Sequence, residues 1–356
     1  MRVDAEQSAA DPDARLRRAG TSSNEAPDGG GSAGGGPLVG RGGGARDDRD
    51  GRGGRGPDAA QDATAVFEQH RGVLMGVAYR MLGSVADAED VVQDAWLRWQ
   101  SAGRDGVREP RAYLVRVATR LAVDRLRSAQ RRRETYVGPW LPEPLLTHAG
   151  TGPERGGAEP DAAQSVLAAE SVSFALLVVM ESLSPLERAV FVLREAFGFP
   201  YAEIAAALDR SEAAVRQLGG RARAHVAERR PRFDVDPEAR RDLTERFLAA
   251  ATRGDLAALM EMLAPDVRLL GDGGGKAKAP MRAITTADKV GRFAEAIARR
   301  GLAAKDFRFI EVNGGPALLA TEQGVPTDVL QIDVAGGRIQ SVYIVANPDK
   351  LTRFTP

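Results

Sequence analysis

The chain has 356 residues, 43% hydrophobic and 5% aromatic, with 49 basic and 49 acidic side chains and no cysteine. That length accommodates two or three domains, and the missing cysteine excludes disulfides, thiol catalysis and thiolate metal sites; no metal or cofactor is expected. Balanced charge selects no partner class, no apolar run approaches the about 20 residues of a bilayer span, and no apolar segment follows the N-terminal charges as in a signal peptide, which together predict a cytoplasmic protein.

Residues 1–63 are rich in Gly, Asp and Arg, cannot bury enough apolar surface to offset ordering, and read as a disordered tail. From Thr64 the pattern is helical: Phe67, Val73, Leu74, Val77, Met81 and Leu82 recur at three- and four-residue steps. Gly83 stops this helix. Ser84 with Asp87 caps the next, whose stripe is Ala88, Val91, Val92, Ala95, Trp96 and Trp99. Glu109-Pro110 opens a long helix to about Arg132, so residues 64–133 form a first helical domain. Gly and Pro then mark a linker over 134–162.

A second helical domain covers 163–232. Ala163–Leu183 is helical, and Ser184-Pro185-Leu186-Glu187 starts another helix with a cap, a first-turn proline and a capping box. After the charged joint Arg229–Asp236 the character changes, and 236–350 forms a third domain. Helices are expected over the segment holding Leu243 and Phe247, over Leu256–Leu263 and over Ala287–Arg300. Strands are expected at Val267–Leu270, Phe307–Val312, Val329–Val334 and Ile339–Val345. The fold class is multidomain: two all-α units followed by an α+β unit.

Three features carry chemistry. The segment from Tyr201 to Val226 has helix-turn-helix dimensions, with Ile204, Leu208, Val215 and Leu218 inward, a turn at Asp209-Arg210 and Ser211 as the second cap. Glu212, Ala213, Arg216 and Gln217 lie on the outer face, where a helix in the major groove meets base edges; Arg suits guanine and Gln suits adenine. Arg210, Arg221 and Arg223 would neutralise phosphates and set register. The second feature is a stripe: at 100° per residue, Arg116, Arg120, Arg127 and Arg131 fall within about 60° of arc beside an apolar face, an arrangement suited to a nucleic-acid backbone. The third is the acidic helix carrying Asp87, Glu89, Asp90, Gln93 and Asp94, which alone would be a solvated face.

The order DAEDVVQDAWLRW, PRAYLVRVATRLAVDRLRS, a linker, then LSPLERAVFVLREAFGFPYAEIAAALDRSEAAVRQLGGRAR resembles the extracytoplasmic-function sigma factors over Thr64–Arg229. The resemblance implies that the first helical domain is sigma region 2 and the second is region 4. It implies docking of the acidic helix on the β′ clamp helices of core RNA polymerase, with further contact to the β subunit. The arginine stripe would handle the minus-10 element as it melts, and the helix-turn-helix would read the minus-35 element of promoter DNA. Many members carry Asn at the position of Arg120, so base readout there does not carry over.

The linker YVGPWLPEP (Tyr136–Pro144), the loop Asp272-Gly273-Gly274-Gly275-Lys276 and the terminal Asn347-Pro348-Asp349-Lys350 resemble the subgroup with a SnoaL-like, cone-shaped C-terminal extension. That implies an intramolecular regulator contacting both sigma regions, in a protein monomeric when free. Two rival readings remain: a ligand-sensing DNA-binding regulator, or a cyclase- or isomerase-type enzyme fused to a DNA-binding module. The enzyme would use an acid–base pair, yet no histidine follows His225, leaving Asp266, Asp272 and Lys276. A simple repressor explains the helix-turn-helix but not the acidic helix or the order of the parts.

Overall fold

Ser84, Pro110 and Ser184 punctuate the chain as local chemistry dictates. The computed structural model describes residues 57–102, 107–147, 173–229 and 237–354. Most of the Gly-rich segment, residues 1–56, and the start of the helix expected from Ala163 lie outside the described residues.

Helix α1 (Pro57–Leu82), α2 (Val85–Ser101) and α3 (Pro110–Glu134) come first. α1 starts at Pro57 and not at Thr64, so it takes in the last residues of the segment expected to be a disordered tail; within it Ala63 is buried and its carbonyl accepts Trp99 Nε1–H at 2.9 Å. Gly83 takes a left-handed φ of 68°, and Ser84 Oγ accepts the Asp87 amide at 3.3 Å to cap α2. Helices α4 (Phe174–Met180) and α5 (Pro185–Phe191) follow, the latter continuing as a wide turn over Val192–Ala196. Ser184 and Glu187 close the expected capping box, with Pro185 in the first turn.

The helix-turn-helix is α6 (Tyr201–Leu208) and α7 (Glu212–Arg229). Asp209 turns left-handed between them at φ 54°, a conformation that Asp tolerates better than most residues. Ser211 Oγ accepts the Ala214 amide at 3.3 Å. The helices α1 to α7 share one core: Leu74, Met81, Leu114 and Leu126 from the first three pack in the same cluster as Val190, Leu193, Ile204 and Val215. Trp99 is buried in it, and Trp96 packs at its edge against Phe67 with ring centroids 5.0 Å apart.

The C-terminal part opens with α8 (Pro237–Arg253) and α9 (Leu256–Met262) and continues through β1 (Leu263–Asp272), β2 (Ile284–Thr285) and α10 (Ala287–Gly301). Strands β3 (Asp306–Val312), β4 (Gly315–Glu322), β5 (Val325–Ala335) and β6 (Arg338–Val345) complete a six-stranded sheet in the order β2-β1-β6-β5-β4-β3. Only the β1–β6 pair is parallel. Two single 3-10 turns, Pro348–Lys350 and Thr352–Phe354, end the described chain. Strand β4 was not expected: its Ala317, Leu318, Leu319 and Ala320 are all buried, so the sequence shows no alternation. β1 also runs well beyond Val267–Leu270 at both ends, since parallel pairing with β6 carries it to Asp272.

Alternation in β6 explains how the sheet is covered. Val342 and Ile344 face the helical side with Leu243, Phe247 and Leu259, while Tyr343 and Val345 face the other. That second face is covered by Leu141 of the linker and by Phe174 of α4, whose ring meets Tyr343 edge-on at 5.5 Å. The linker also runs along the sheet edge: Leu146 pairs with Val312, and the Thr147 amide donates to the Glu311 carbonyl at 3.0 Å. All described residues belong to one compact unit, Gly54–Pro356. Because Leu126 is fully buried in the shared helical core, Leu126→Ala should lower unfolding free energy by about 2–5 kcal/mol in urea titrations; a loss under about 1 kcal/mol would contradict that packing.

Candidate nucleic-acid interface

The helix α7 presents its polar face outward because Val215, Gly219, Ala222 and Val226 take the buried side. Arg210, Ser211, Glu212, Ala213, Arg216, Gln217, Arg221 and Arg223 are all exposed. Several are engaged with neighbours. Arg216 pairs with Glu212 and lies over the Tyr201 ring at 4.9 Å. Arg221 Nε donates to Glu187 at 3.0 Å, and Arg223 donates to Glu195 at 3.1 Å and to the Tyr201 hydroxyl at 2.8 Å. These exposed pairs are worth at most about 1 kcal/mol each, weak enough to exchange for phosphate.

On α3, Arg116, Arg127 and Arg131 are exposed, Arg116 lying 5.4 Å from the Tyr113 ring and Arg127 pairing with Asp124 at 3.3 Å. Arg120 departs from the stripe. Its Nε donates to the Ala207 carbonyl at 2.8 Å and its second nitrogen to the Ala206 carbonyl at 3.3 Å, both on α6.

The acidic face of α2 is partly neutralised. Arg125 of α3 pairs with Asp90 and also approaches Asp87 at 3.7 Å and Asp94 at 3.5 Å. Glu89 takes a partner from the far end of the chain, Arg353, at 2.6 Å. Gln93 is exposed. Arg125 and Arg353 had no local signal in the sequence; only the tertiary fold brings them to α2.

The two C-terminal motifs lie against each other and against the linker. Lys276 and Asp349 pair at 2.6 Å. The Asp272 carbonyl accepts the Ala346 and Asn347 amides at 2.8 and 2.9 Å. Gly274, at φ 59°, sits where any side chain would run into Asn347 and the Tyr136 hydroxyl, whereas Pro348 is exposed. Gly273 is buried and Gly275 exposed.

Asp272 is fully buried and saturated with donors: Lys350 Nζ at 2.6 Å, the Tyr136 hydroxyl at 2.6 Å and the Leu141 amide at 2.9 Å. Lys350 also donates to the Leu141 carbonyl. Burial pushes the Lys350 ammonium down from its usual value against the pull of Asp272, and pushes the Tyr136 hydroxyl up, with Asp272 adding to the rise.

Two cations lie over the ring of Trp140 in the linker. The Arg133 guanidinium lies 3.4 Å from its ring centroid and Lys350 Nζ lies 4.0 Å away. Arg133, at the end of α3, also pairs with Glu181 beside α4 and donates to the Leu82 carbonyl at 2.7 Å. Glu181 accepts in turn from the buried Arg188 of α5, whose Nε reaches the Arg80 carbonyl at 3.0 Å. Glu143 caps α2 from the linker, its carboxylate accepting the Val85 amide at 2.8 Å. The Tyr79 hydroxyl donates to the Glu143 carbonyl at 2.8 Å and accepts from Asn313 at 2.8 Å.

Truncating Asp272 alone strands a buried ammonium, so Asp272→Ala should cost about 3–5 kcal/mol in denaturant unfolding. Adding Lys350→Met should recover most of that loss; a fully additive double variant would contradict the pairing. Burial pushes the Glu143 carboxyl above its usual range. The folded state therefore binds that proton more tightly than the unfolded chain does. Its contribution to stability is fully present below the ordinary carboxylate range and is lost as pH rises through the raised value. Thermal melts of Glu143→Gln should show a flatter pH dependence under mildly acidic conditions; an unaltered slope would refute this.

Comparison with known proteins agrees with this arrangement. Residues 66–132 match the sigma-70 region 2 family and residues 173–226 match sigma-70 region 4. The chain is 42% identical over 299 residues to the ECF RNA polymerase sigma factor SigJ of Mycobacterium tuberculosis, covering 80% of this chain and 92% of that protein. It is 33% identical to the probable ECF sigma factor SigI of the same organism, over 81% of this chain and 94% of the relative. The crystal structure of M. tuberculosis SigJ superimposes with a TM-score of 0.64 at 38% identity, over 81% of this chain and 98% of that one. This chain belongs to the extracytoplasmic-function RNA polymerase sigma factors.

Proposed function

We propose that this chain directs core RNA polymerase to a dedicated promoter by a two-point reading, and that its C-terminal domain regulates the reading. The observation that carries the proposal is the joining of three surfaces, acidic α2, basic α3 and the outer face of α7, to one helical core. Asp87, Glu89, Asp90, Gln93 and Asp94 would dock on the β′ clamp helices, with region 4 reaching the β subunit. Arg116, Arg127 and Arg131 would track the minus-10 backbone, and Arg216 and Gln217 would read the minus-35 element from the major groove. Arg210, Arg221 and Arg223 would hold phosphates there, with Ser211, Glu212 and Ala213 at the leading turn. A sigma subunit works with polymerase in the cytoplasm, as a monomer when free.

The closed arrangement cannot perform this reading. The two promoter elements lie about 25 base pairs apart, roughly 85 Å of duplex at 34–36 Å per turn, whereas α3 touches α6 directly. Promoter binding therefore requires regions 2 and 4 to separate. Contacts of the closed form oppose that separation: Glu181 of region 4 is tied to Arg133 of region 2, and Leu141 of the linker and Phe174 of region 4 are both held against the C-terminal sheet. The same contacts support a regulatory over an enzymatic role for the third domain. Asp272 spends its oxygens on the linker and Lys350, Lys276 is paired with Asp349, and Asp266 is exposed.

With core polymerase, the full chain should start transcription from members of a promoter library, and failure across the library would end the proposal. Removing residues beyond Asp236 should change output at the same promoter; equal output would refute the regulatory role. Arg216→Ala should weaken discrimination at the upstream element by about 1–3 kcal/mol. An equal loss on every sequence would assign Arg216 to phosphate binding.

A further inference from the structure

The arginine stripe of α3 has one member that leaves it. Arg120 reaches across to α6, the first helix of the helix-turn-helix, and donates from Nε to the Ala207 carbonyl at 2.8 Å and from a terminal nitrogen to the Ala206 carbonyl at 3.3 Å. The position of these acceptors matters. α6 ends at Asp209, which turns left-handed, so the last-turn carbonyls lack helical partners and carry the negative end of the helix dipole. The chain resolves one of them itself: the Asp209 and Arg210 amides both return to the Ala205 carbonyl. The next two, Ala206 and Ala207, are the ones Arg120 takes. A planar guanidinium serves two adjacent carbonyls from a rigid, pre-organised fork, whereas an ammonium donates from a single point on a flexible stem and a shorter carboxamide carries no charge.

The surroundings fit a joint between regions 2 and 4. Arg116 and Tyr113, on the preceding turns of α3, face Phe199, Glu203 and Ala206 across a crevice of about 490 Å³. Arg120 bridges α3 and α6 at the Ala206–Ala207 side of that crevice. α6 and α3 are the elements that must part before α7 and α3 can reach separate promoter elements.

We propose that Arg120 is a positioning residue, a latch that holds region 2 on the C-terminal end of α6, and that it is not a reader of DNA. The latch biases the chain toward the closed form and delays promoter engagement. The inference rests on the sigma-factor reading, since it is promoter recognition by α3 and α7 that the latch restrains.

The two roles predict opposite signs. The chain has no cysteine, so Glu68→Cys and Ala224→Cys, both at exposed positions, accept a dye pair reporting the distance between α1 and α7. In the full chain, Arg120→Ala and Arg120→Asn should lower transfer efficiency and raise transcription with core polymerase at sub-saturating promoter. The rise should be about three- to tenfold, as for one charge-assisted bond in an exposed setting. Arg120→Lys keeps the charge for a phosphate but loses the fork, and should behave like the alanine variant at reduced amplitude. Lower transcription in the alanine or asparagine variant, whatever the dye pair shows, would overturn the latch and restore Arg120 as a DNA contact. Unchanged transfer efficiency would also overturn it. Circular-dichroism melts of the lysine variant keep the test valid if alanine unfolds the chain. Absence of transcription by the wild-type chain would instead defeat the sigma reading, leaving the dye pair to decide the latch alone.

Discussion

The structure turns on the indole of Trp140, which takes both the Arg133 guanidinium and the Lys350 ammonium over its ring. Two cations over one ring would repel without counter-charges, and each has one: Glu181 for Arg133 and Asp272 for Lys350. A desolvated cation–π contact contributes on the order of 2 kcal/mol, and the two carboxylates supply the opposite charge that each cation needs there. The four charged groups come from four places in the chain: the end of α3, the turn after α4, the end of β1 and the 3-10 turn Pro348–Lys350. The linker indole is the point they share. Glu143, Leu141 and Leu145 then follow a fixed path along α2 and the sheet edge.

This joint makes the three parts of the chain mutually dependent. Region 2 and region 4 already share apolar core residues, and the C-terminal sheet needs Leu141 and Phe174 to cover its second face. Arg353, a few residues past Lys350, lies on Glu89 of the acidic helix and 3.7 Å from Glu143. The C-terminal domain thus touches the helix that is proposed to meet polymerase, while region 4 touches the helix proposed to meet melted DNA. A closed chain that must open is a natural point of control, because any ligand or partner favouring one state shifts the other by its difference in affinity.

Much of the fold was legible because its signals are local. Ser84, Ser184, Pro185 and Gly83 act within a turn of themselves, and Asp209 and Ser211 set the helix-turn-helix with their own side chains and backbone. The order of the acidic, basic and recognition segments gave the family, and the family relationship is shown by the comparisons. Strand β4 was hidden because its Ala317–Ala320 run is buried on both faces and shows neither helical nor strand periodicity. The destinations of charged side chains were hidden for another reason. Asp272 meets Leu141 across 131 residues, Arg353 meets Glu89 across 264 and Arg120 meets Ala207 across 87. No spacing rule reaches that far, and a surface stripe looks the same whether one of its arginines faces DNA or another helix. The glycine loop and the terminal Asn347–Lys350 stood out by resemblance, but their shared role in gripping Tyr136 needed coordinates.

The most direct test of this account is calorimetric unfolding of the full chain with Trp140 replaced by leucine, which keeps apolar bulk and removes the ring face. The parent chain should unfold residues 57–354 in one cooperative transition. Trp140→Leu should separate it into two, one for the helical core and one for the C-terminal sheet domain. A variant that melts in one transition at the parent temperature would contradict the claim that this indole joins the three parts.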